Sequence, residues 1–172
     1  TLQQEGILVQ LAVNISSSDL LQIELVEQIQ QLLLQYQVKP GQLILELKEE
    51  ALMADPQTVL PMLQRLRSLG LTLVLDDFGT GYSSLSYLTR LPLDVLKIDR
   101  RFIEHIPQAK DDKQIATAII ALAHTMNFKV LAEGVETADQ LAFLRQQGCD
   151  YYQGYYFSKA LPASEFTALL QQ

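Results

Sequence analysis

The sequence predicts an α/β fold built from repeated strand–helix units, arranged either as a barrel or as an open, doubly wound sheet. Six short apolar runs recur roughly every 25 to 30 residues, and longer amphipathic stretches separate them. Most of these runs are continuously apolar rather than alternating, which is typical of parallel strands covered on both faces. The regular spacing therefore favours parallel strands joined by helices.

The apolar runs predict the strands, and most of them end on or next to a polar residue. In chain order they are 8–15 (LVQLAVNI), 43–47 (LILEL), 71–77 (LTLVLDD), 95–98 (VLKI), 129–133 (KVLAE) and 151–157 (YYQGYYF).

The stretches between the runs predict amphipathic helices. Asp55-Pro56 and Gly70 are typical start and stop signals for the second helix, while Thr137 opens a capping box and Gly148 ends that helix. A last helix is expected over 164–170. The predicted apolar faces are Leu25, Ile29, Leu32 and Leu33; Val59, Leu63 and Leu66; and Ile115, Ile119, Leu122, Ala123 and Met126.

The chain is short for a closed barrel. It has 172 residues, whereas a closed barrel of this kind has eight strands and about 250 residues. A strand begins almost at residue 1 and a helix follows the last strand, so we expect about two units to be missing at the N-terminus. The whole chain, 1–172, is expected to form one domain.

Composition restricts the function. A formal net charge of -7 argues against binding DNA or RNA polymers, which are held by surplus Lys and Arg. An acidic site for a phosphate ester would therefore need cations. The longest apolar stretches, such as 115–123, are too short to cross a bilayer, and no signal peptide opens the chain. The single cysteine excludes an internal disulfide and fits a reducing, cytoplasmic setting.

Polar side chains recur at the C-terminal ends of the predicted strands. In a barrel this rim carries the active site, so residues distant in sequence would meet there. Grouped carboxylates are costly to bury unless cations compensate, and oxygen ligands suit Mg²⁺, Mn²⁺ or Ca²⁺. The residues concerned are Asn14, Glu46, Asp76, Asp77, Lys97, Glu133 and Gln153.

Taken one at a time, these residues also have structural explanations. Asn14 is compatible with a turn or helix cap, and Gln153 with an ordinary rim amide. Glu46 fits a paired structural carboxylate as well as a metal ligand, and Lys97 fits a buried ion-pair partner. Glu133 is compatible with capping the turn at Gly134. Glu49 and Glu50 fit the first turn of a helix, near its positive end.

Asp76-Asp77 is more specific. Successive strand residues point to opposite faces, so both carboxylates serve one site only if the strand breaks there. The residues that follow, 78–82 (FGTGY), contain two glycines that permit such a break. A plain strand-to-helix turn is the alternative to two metals with neighbouring ligands.

Together these segments resemble the EAL domain family. The run 76–85 (DDFGTGYSSL) is similar to the central signature of that family, and the other family motifs follow in the family's order. They are 13–16 (VNIS), 46–49 (ELKE), 91–99 (LPLDVLKID), 132–137 (AEGVET) and 148–155 (GCDYYQGY).

The resemblance implies a TIM-like (β/α) barrel that hydrolyses cyclic di-GMP to linear pGpG with two Mg²⁺ or Mn²⁺ ions, Ca²⁺ being inhibitory. It implies metal ligation by the residues at the strand ends, a water contact from Lys97, a catalytic role for Glu133, and bracing of loop 77–85 by Glu49. Residues expected to support the site are Gln153, Glu136, Gly79, Thr80 and Gly81. The metal ligands it implies are Asn14, Glu46, Asp76, Asp77 and Glu133.

The sequence also departs from the family. We expect the Glu-Ala-Leu motif that names the family to be missing, together with the arginine close behind it. Because that glutamate is a metal ligand in the family, the isolated chain is expected to bind metal poorly and to be inactive or nearly so. Lys48 and Glu50 stand where threonine and serine are usual, and Ala160 stands where proline is usual.

Two other functions stay open. An EAL-like module that binds cyclic di-GMP or a protein partner without hydrolysis is the main alternative, and a barrel aldolase using Lys97 as a Schiff base is the other. The resemblance further implies a cytoplasmic domain, dimerisation near loop 77–85, and other signalling domains in a parent protein that can be membrane-anchored elsewhere.

Overall fold

The computed structural model describes residues 9–53, 55–79 and 85–171, and these form one parallel sheet with helices packed on its outer face. The sheet has six strands that pair strictly in chain order, each parallel to the next. It curls into an incomplete barrel with β1 and β6 at its edges, and this confirms the predicted α/β fold with an incomplete barrel. The strands are β1 Leu11–Ile15, β2 Leu43–Lys48, β3 Thr72–Phe78, β4 Val95–Ile98, β5 Lys129–Glu133 and β6 Tyr151–Gln153.

Helices follow every strand except that β4 is followed first by a short 3₁₀ turn at Arg100–Phe102. Another such turn, Pro40–Gln42, precedes β2. The helices are α1 Ser17–Leu20, α2 Leu25–Gln35, α3 Glu49–Met53, α4 Pro56–Ser68, α5 Leu85–Leu88, α6 Lys110–Thr125, α7 Ala138–Gln146 and α8 Ala163–Leu170. Within the described residues, each helix is too short or too polar to span a lipid bilayer.

The predicted helix ends agree with the structure. Asp55 caps α4 by accepting the N–H groups of Gln57 and Thr58, as expected of a short acidic side chain at that position. The capping box at the start of α7 is present, with Thr137 and Gln140 bonding each other's backbone. Glu49 and Glu50 lie in the first turn of α3, where the sequence allowed them.

Three details of the prediction were wrong. Leu32 is 53% exposed and Ile115 is 39% exposed, because the buried faces of α2 and α6 are turned slightly from the predicted ones and include Val26 and Ala116 instead. The last strand ends at Gln153 rather than at residue 157. Just beyond this end, Gly154 passes so close to Val135 that an added Cβ would overlap the Val135 backbone.

The core lies between the sheet and the helices. Outward-facing leucines of the central strands, including Leu45, Leu47, Leu73, Leu75 and Leu96, are at most 1% exposed. Their burial against α3, α4 and α6 fixes the strands in register, since each buried leucine contributes about 2 kcal/mol of hydrophobic stabilisation. The inward face is different, because it lines an open cavity of about 520 Å³.

Two aspartates pin the N-terminal end of the sheet. Asp94, just before β4, accepts the Leu73 N–H of β3 at 2.9 Å. Asp150, just before β6, accepts the Val130 N–H of β5, also at 2.9 Å. The same hydrogen bond, from a strand N–H to an aspartate just before the next strand, thus joins β3 to β4 and β5 to β6. It holds the start of each strand against its neighbour.

Asp150 also contacts two side chains, a lysine and a histidine. Its oxygens lie 2.7 Å from Lys129 Nζ and 2.9 Å from His124 Nε2. Burial alone would raise the pKa of Asp150, but the hydrogen bonds from Lys129, His124 and Val130 outweigh burial and lower this pKa to about 2. The ionised carboxylate therefore stabilises the fold.

We expect Asp150→Asn to lower the free energy of unfolding by about 2 kcal/mol at pH 7, because a negatively charged hydrogen-bond acceptor is replaced by a neutral amide. A carboxylate whose pKa is depressed on folding stabilises above its unfolded pKa, and that stabilisation disappears as the pH falls through the folded pKa. The gap between wild type and variant should therefore close between about pH 4 and pH 2. Urea denaturation at several pH values measures it.

The matched control is Glu24→Gln, because the Glu24 side chain is exposed and makes no capping hydrogen bond to α2. It should leave the unfolding free energy within about 0.5 kcal/mol of wild type. A constant difference between wild type and Asp150→Asn from pH 7 to pH 2 would contradict the account of Asp150.

Candidate active site

Strand register gathers four charged side chains at the C-terminal rim of the sheet. Glu46 lies beside Val74 in the register, and Asp76 follows Val74 by two residues, so both carboxylates point inward. Lys97 and Glu133 reach the same face from β4 and β5 by the same two-residue period. The four residues belong to four adjacent strands, which is the convergence the sequence predicted.

Lys97 lies at the centre of this group. Its Nζ is 3.1 Å from Glu46 Oε2, 3.1 Å from Asp76 Oδ1 and 2.7 Å from Glu133 Oε1. The residue is only 3% exposed, so the carboxylates rather than water solvate its ammonium group. Glu46 and Lys97 are therefore paired with each other, as the structural explanations of these two residues allowed.

The pKa values of the central pair follow from burial and charge. Burial alone would lower the pKa of Lys97, but the hydrogen bond and charge of Glu133, together with the charge of Asp76, outweigh burial and hold this pKa above its ordinary value. Burial raises the pKa of the Glu133 carboxyl, against the opposing effect of Lys97. Lys97 is therefore a charged donor at neutral pH rather than a neutral amine.

Asp76 and Asp77 lie at the same rim because the pairing of β3 is irregular at this point. The register with β4 shifts between Leu75 and Phe78, and Asp77 takes a left-handed backbone conformation with φ of 57°. The sequence predicted a break at the glycine-containing segment 78–82; within the described residues, the irregularity is a register shift with Asp77 in the left-handed conformation, and the strand continues to Phe78. Such a bulge turns a side chain that would otherwise face the helices back toward the site.

The two aspartates and Glu133 form a set of oxygens suited to a cation. One carboxylate oxygen from each of the three residues lies within 4.8 Å of the other two. All these donors are hard oxygen atoms, which Mg²⁺, Mn²⁺ and Ca²⁺ prefer over softer ligands. The residues present therefore fit a divalent cation.

Glu49 contacts the loop that follows β3. The side chain is buried at the start of α3, and its Oε2 accepts the Gly79 N–H at 3.3 Å. Gly79 has a φ of 93°, and a Cβ there would lie 3.1 Å from the Phe102 ring, so this position requires glycine. The predicted supporting residues Thr80 and Gly81 lie outside the described residues.

The remaining predicted residues lie around this centre. Asn14 is the register partner of Glu46 on β1, and Gln153 is the partner of Glu133 on β6; both are exposed at the rim. Glu136 is exposed beyond the end of β5, where its backbone N–H donates to Gln140 Oε1 at 2.7 Å. The structure thus places Asn14 and Gln153 next to the charged group and Glu136 farther along the loop.

A cleft of about 570 Å³ opens beside the charged group, between the ends of β1, β2 and β3. Lys48 reaches into it and lies 3.2 Å from Asp77 Oδ2. The hydrogen bond to Asp77 raises the pKa of Lys48. The lining residues are Asn14, Ile15, Ser16, Ser17, Asp19, Lys48, Glu50, Ala51, Asp76 and Asp77.

The tripeptide Glu50-Ala51-Leu52 does occur in the chain, but in α3. Ala51 and Leu52 are buried in the core there. Since it follows β2 rather than preceding β1, it does not stand where the family motif is expected.

Two buried polar residues near the rim were missed from the sequence. Asp99 accepts the Arg101 backbone N–H at 2.8 Å and its side-chain Nε at 3.0 Å. Gln140, 3% exposed, ties α7 to the segment after β4 by donating to the carbonyls of Ile103 and Glu104. Asp99 directly follows the lysine strand and Gln140 belongs to the capping box, but nothing in one sequence shows which partners lie 36 or 37 residues away.

Known proteins show the same organisation. A family model described as the EAL domain matches residues 1–160. The cyclic di-GMP phosphodiesterase NbdA of Pseudomonas aeruginosa is 50% identical over 160 residues, which is 93% of this chain and 20% of NbdA. The chain therefore spans about a fifth of the length of that curated relative.

Solved structures agree with this comparison. The EAL domain of Mycobacterium smegmatis DcpA superposes with a TM-score of 0.91 at 35% identity, covering 98% of this chain and 77% of that one. The PaMucR phosphodiesterase, solved as a c-di-GMP complex, gives 0.86 at 43% identity, with coverages of 91% and 64%. A manganese/cy-diGMP complex of Klebsiella pneumoniae BlrP1 gives 0.81 at 30% identity, with coverages of 91% and 40%.

We expect Lys97→Met to lower the free energy of unfolding by about 2–3 kcal/mol in cation-free buffer, because it leaves three carboxylates close together without their ammonium. Adding Glu133→Gln to this variant should restore part of the loss, since one of the repelling charges is removed. Urea denaturation in the presence of a chelator gives both values. A loss below about 0.5 kcal/mol for Lys97→Met would contradict the central position assigned to this residue.

Proposed function

The chain belongs to the EAL domain family, and from this premise and the geometry of its rim we propose that it forms part of a metal-dependent phosphodiesterase domain that hydrolyses cyclic di-GMP to linear pGpG. The observation that carries the proposal is the convergence of Glu46, Asp76, Lys97 and Glu133 from four adjacent strands. The names of NbdA and of the PaMucR complex support cyclic di-GMP as the ligand.

We propose that two divalent cations, Mg²⁺ or Mn²⁺, are held by Asn14, Glu46, Asp76, Asp77 and Glu133. The manganese complex of BlrP1 supports a divalent cation, and the oxygen set of Asp76, Asp77 and Glu133 is compatible with one. When bound, such cations lower the pKa of a water molecule and offset the negative charge of the phosphate. Ca²⁺ is proposed to bind the same ligands and to inhibit.

Lys97 is the proposed contact of the attacking water. Its raised pKa keeps it protonated, so it orients the water and offsets developing negative charge as a hydrogen-bond donor, not as a base. A raised pKa also disfavours the aldolase alternative, because a Schiff-base lysine must be neutral to attack a carbonyl. Glu133 is the proposed partner that holds this ammonium in place, since their contact is the shortest of the three, 2.7 Å.

The remaining residues support this arrangement. Glu49 is proposed to brace the loop after β3 through its contact with the Gly79 N–H. Gln153 and Glu136, together with Thr80 and Gly81 of that loop, are proposed to complete the support of the site. We also propose a cytoplasmic domain that forms a homodimer near loop 77–85 and works alongside other signalling domains.

We expect the full-length protein to convert cyclic di-GMP to pGpG in the presence of Mg²⁺ or Mn²⁺ and to lose this activity when the cation is chelated. Asp76→Asn and Lys97→Met should each lower kcat by about 10²- to 10⁴-fold. Product chromatography measures the turnover, and Glu24→Gln, which changes an exposed side chain outside the proposed site residues, should retain it. Cyclic di-GMP binding without turnover in the full-length protein would instead identify a binding module.

We further propose that the 172 residues alone form about two-thirds to three-quarters of an EAL barrel and are inactive or nearly so. The open sheet and the coverages of 64% and 77% of two solved EAL chains support this proposal. The isolated chain should show at least about 100-fold less turnover than the full-length protein under identical cation concentrations. Comparable rates for the two would overturn it.

A further inference from the structure

We propose that Lys48 is an internal counter-ion of Asp77, occupying this carboxylate in the cation-free protein and giving way when a divalent cation binds, so that Lys48 weakens cation binding. This inference rests on the proposed function, because it concerns the same carboxylates. It adds a residue that sets how much cation the site needs.

Lys48 lies on the strand next to β3, at the level of the two aspartates. Lys48 is the last residue of β2, and its register partner is Asp76 on β3. It therefore stands one step beyond Glu46 on the inward face, at the level where the rim opens. Its Nζ lies 3.2 Å from Asp77 Oδ2, within ion-pair distance of one of the three grouped carboxylates.

Lys48 and Lys97 lie in different surroundings. Lys97 is enclosed, with a side chain 4% exposed, and it is held by three carboxylates. The Lys48 side chain is 55% exposed and has one such contact. An exposed ion pair of this kind contributes little stability, so a cation can displace the ammonium at small cost to the fold.

A further positive charge in this region is paired with another carboxylate. Arg101 contributes positive charge near Asp77, but its guanidinium is bonded to Asp99, with Nε 3.0 Å from Oδ1. Lys48 contacts Asp77 directly and lines the adjoining 570 Å³ cleft, into which it has space to move. Its charge therefore acts on the incoming cation in two ways, by competing for Asp77 and by repulsion.

In the experiment, the full-length protein is titrated with Mn²⁺, and the free ion is followed by electron paramagnetic resonance. Lys48→Met removes the charge and keeps most of the side-chain length, and it should tighten Mn²⁺ binding on the order of 10-fold, as one unit charge beside a divalent ion implies in a water-like dielectric. Lys48→Arg keeps the charge and should bind Mn²⁺ within about two-fold of wild type.

Lys129→Met is the matched control. Lys129 is another exposed strand lysine, 61% exposed in its side chain and paired with an aspartate, but it lies at the opposite end of the sheet. Its removal changes the net charge equally and should leave Mn²⁺ affinity within about two-fold of wild type, because charges beyond a Debye length are screened. In an Asp77→Asn background, Lys48→Met should give a smaller gain than in the wild-type background, because competition for Asp77 is gone and only the repulsion remains.

The outcomes separate the two proposals. Equal Mn²⁺ affinity in wild type and Lys48→Met overturns the role of Lys48 and leaves the cation site of the proposed function standing. The same gain from Lys129→Met also overturns it, because net charge alone would then explain the effect. Absence of Mn²⁺ binding in every variant counts against both proposals.

Discussion

The rim depends on one buried ammonium surrounded by carboxylates. If Lys97 were removed, the carboxylates of Glu46, Asp76 and Glu133 would repel one another in a largely buried site. That repulsion is costly for a fold of ordinary stability. The lysine meets all three only because β2, β3, β4 and β5 keep a fixed register. That register is held from the other face of the sheet, where the leucines pack against the helices. The hydrophobic core thus positions the charges, although it contributes no polar atom to the site.

The sequence predicted much of this arrangement because polar residues recur at the C-terminal ends of the predicted strands, and period-two alternation accounts for the shared face. Once the strands are placed, Glu46, Lys97 and Glu133 must face inward near the strand ends, and no further information is needed. Facts that depend on neighbours in space could not be predicted in the same way. Leu32 and Val26 are both apolar, and the packing of α2 on the sheet decides which of them is buried. The contact between Lys48 and Asp77 likewise joins residues from different strands.

Asp77 shows how a local departure from regular structure creates chemistry. In an unbroken strand its carboxylate would point toward the helices and need a buried partner there. The register shift and a φ of 57° turn it back to the rim. This conformation is unfavourable for a residue with a side chain, by roughly 1 kcal/mol, and it is held by surrounding contacts such as that between Glu49 and the Gly79 N–H. The sequence indicated that a break was required; the residue at which it occurs depends on packing around β4.

The two ends of the sheet use acidic side chains for different purposes. At the N-terminal end, Asp94 and Asp150 each accept a backbone N–H and pair with exposed cationic side chains, so their oxygens are committed to holding strands together. At the C-terminal end, carboxylates outnumber the lysines that contact them, and one oxygen from each of Asp76, Asp77 and Glu133 falls in a common space. A surplus of oxygen ligands over protein cations is the electrostatic condition for recruiting a divalent ion. The aspartates that hold the strands and the proposed cation site therefore lie at opposite rims of the same six strands, as in barrels generally.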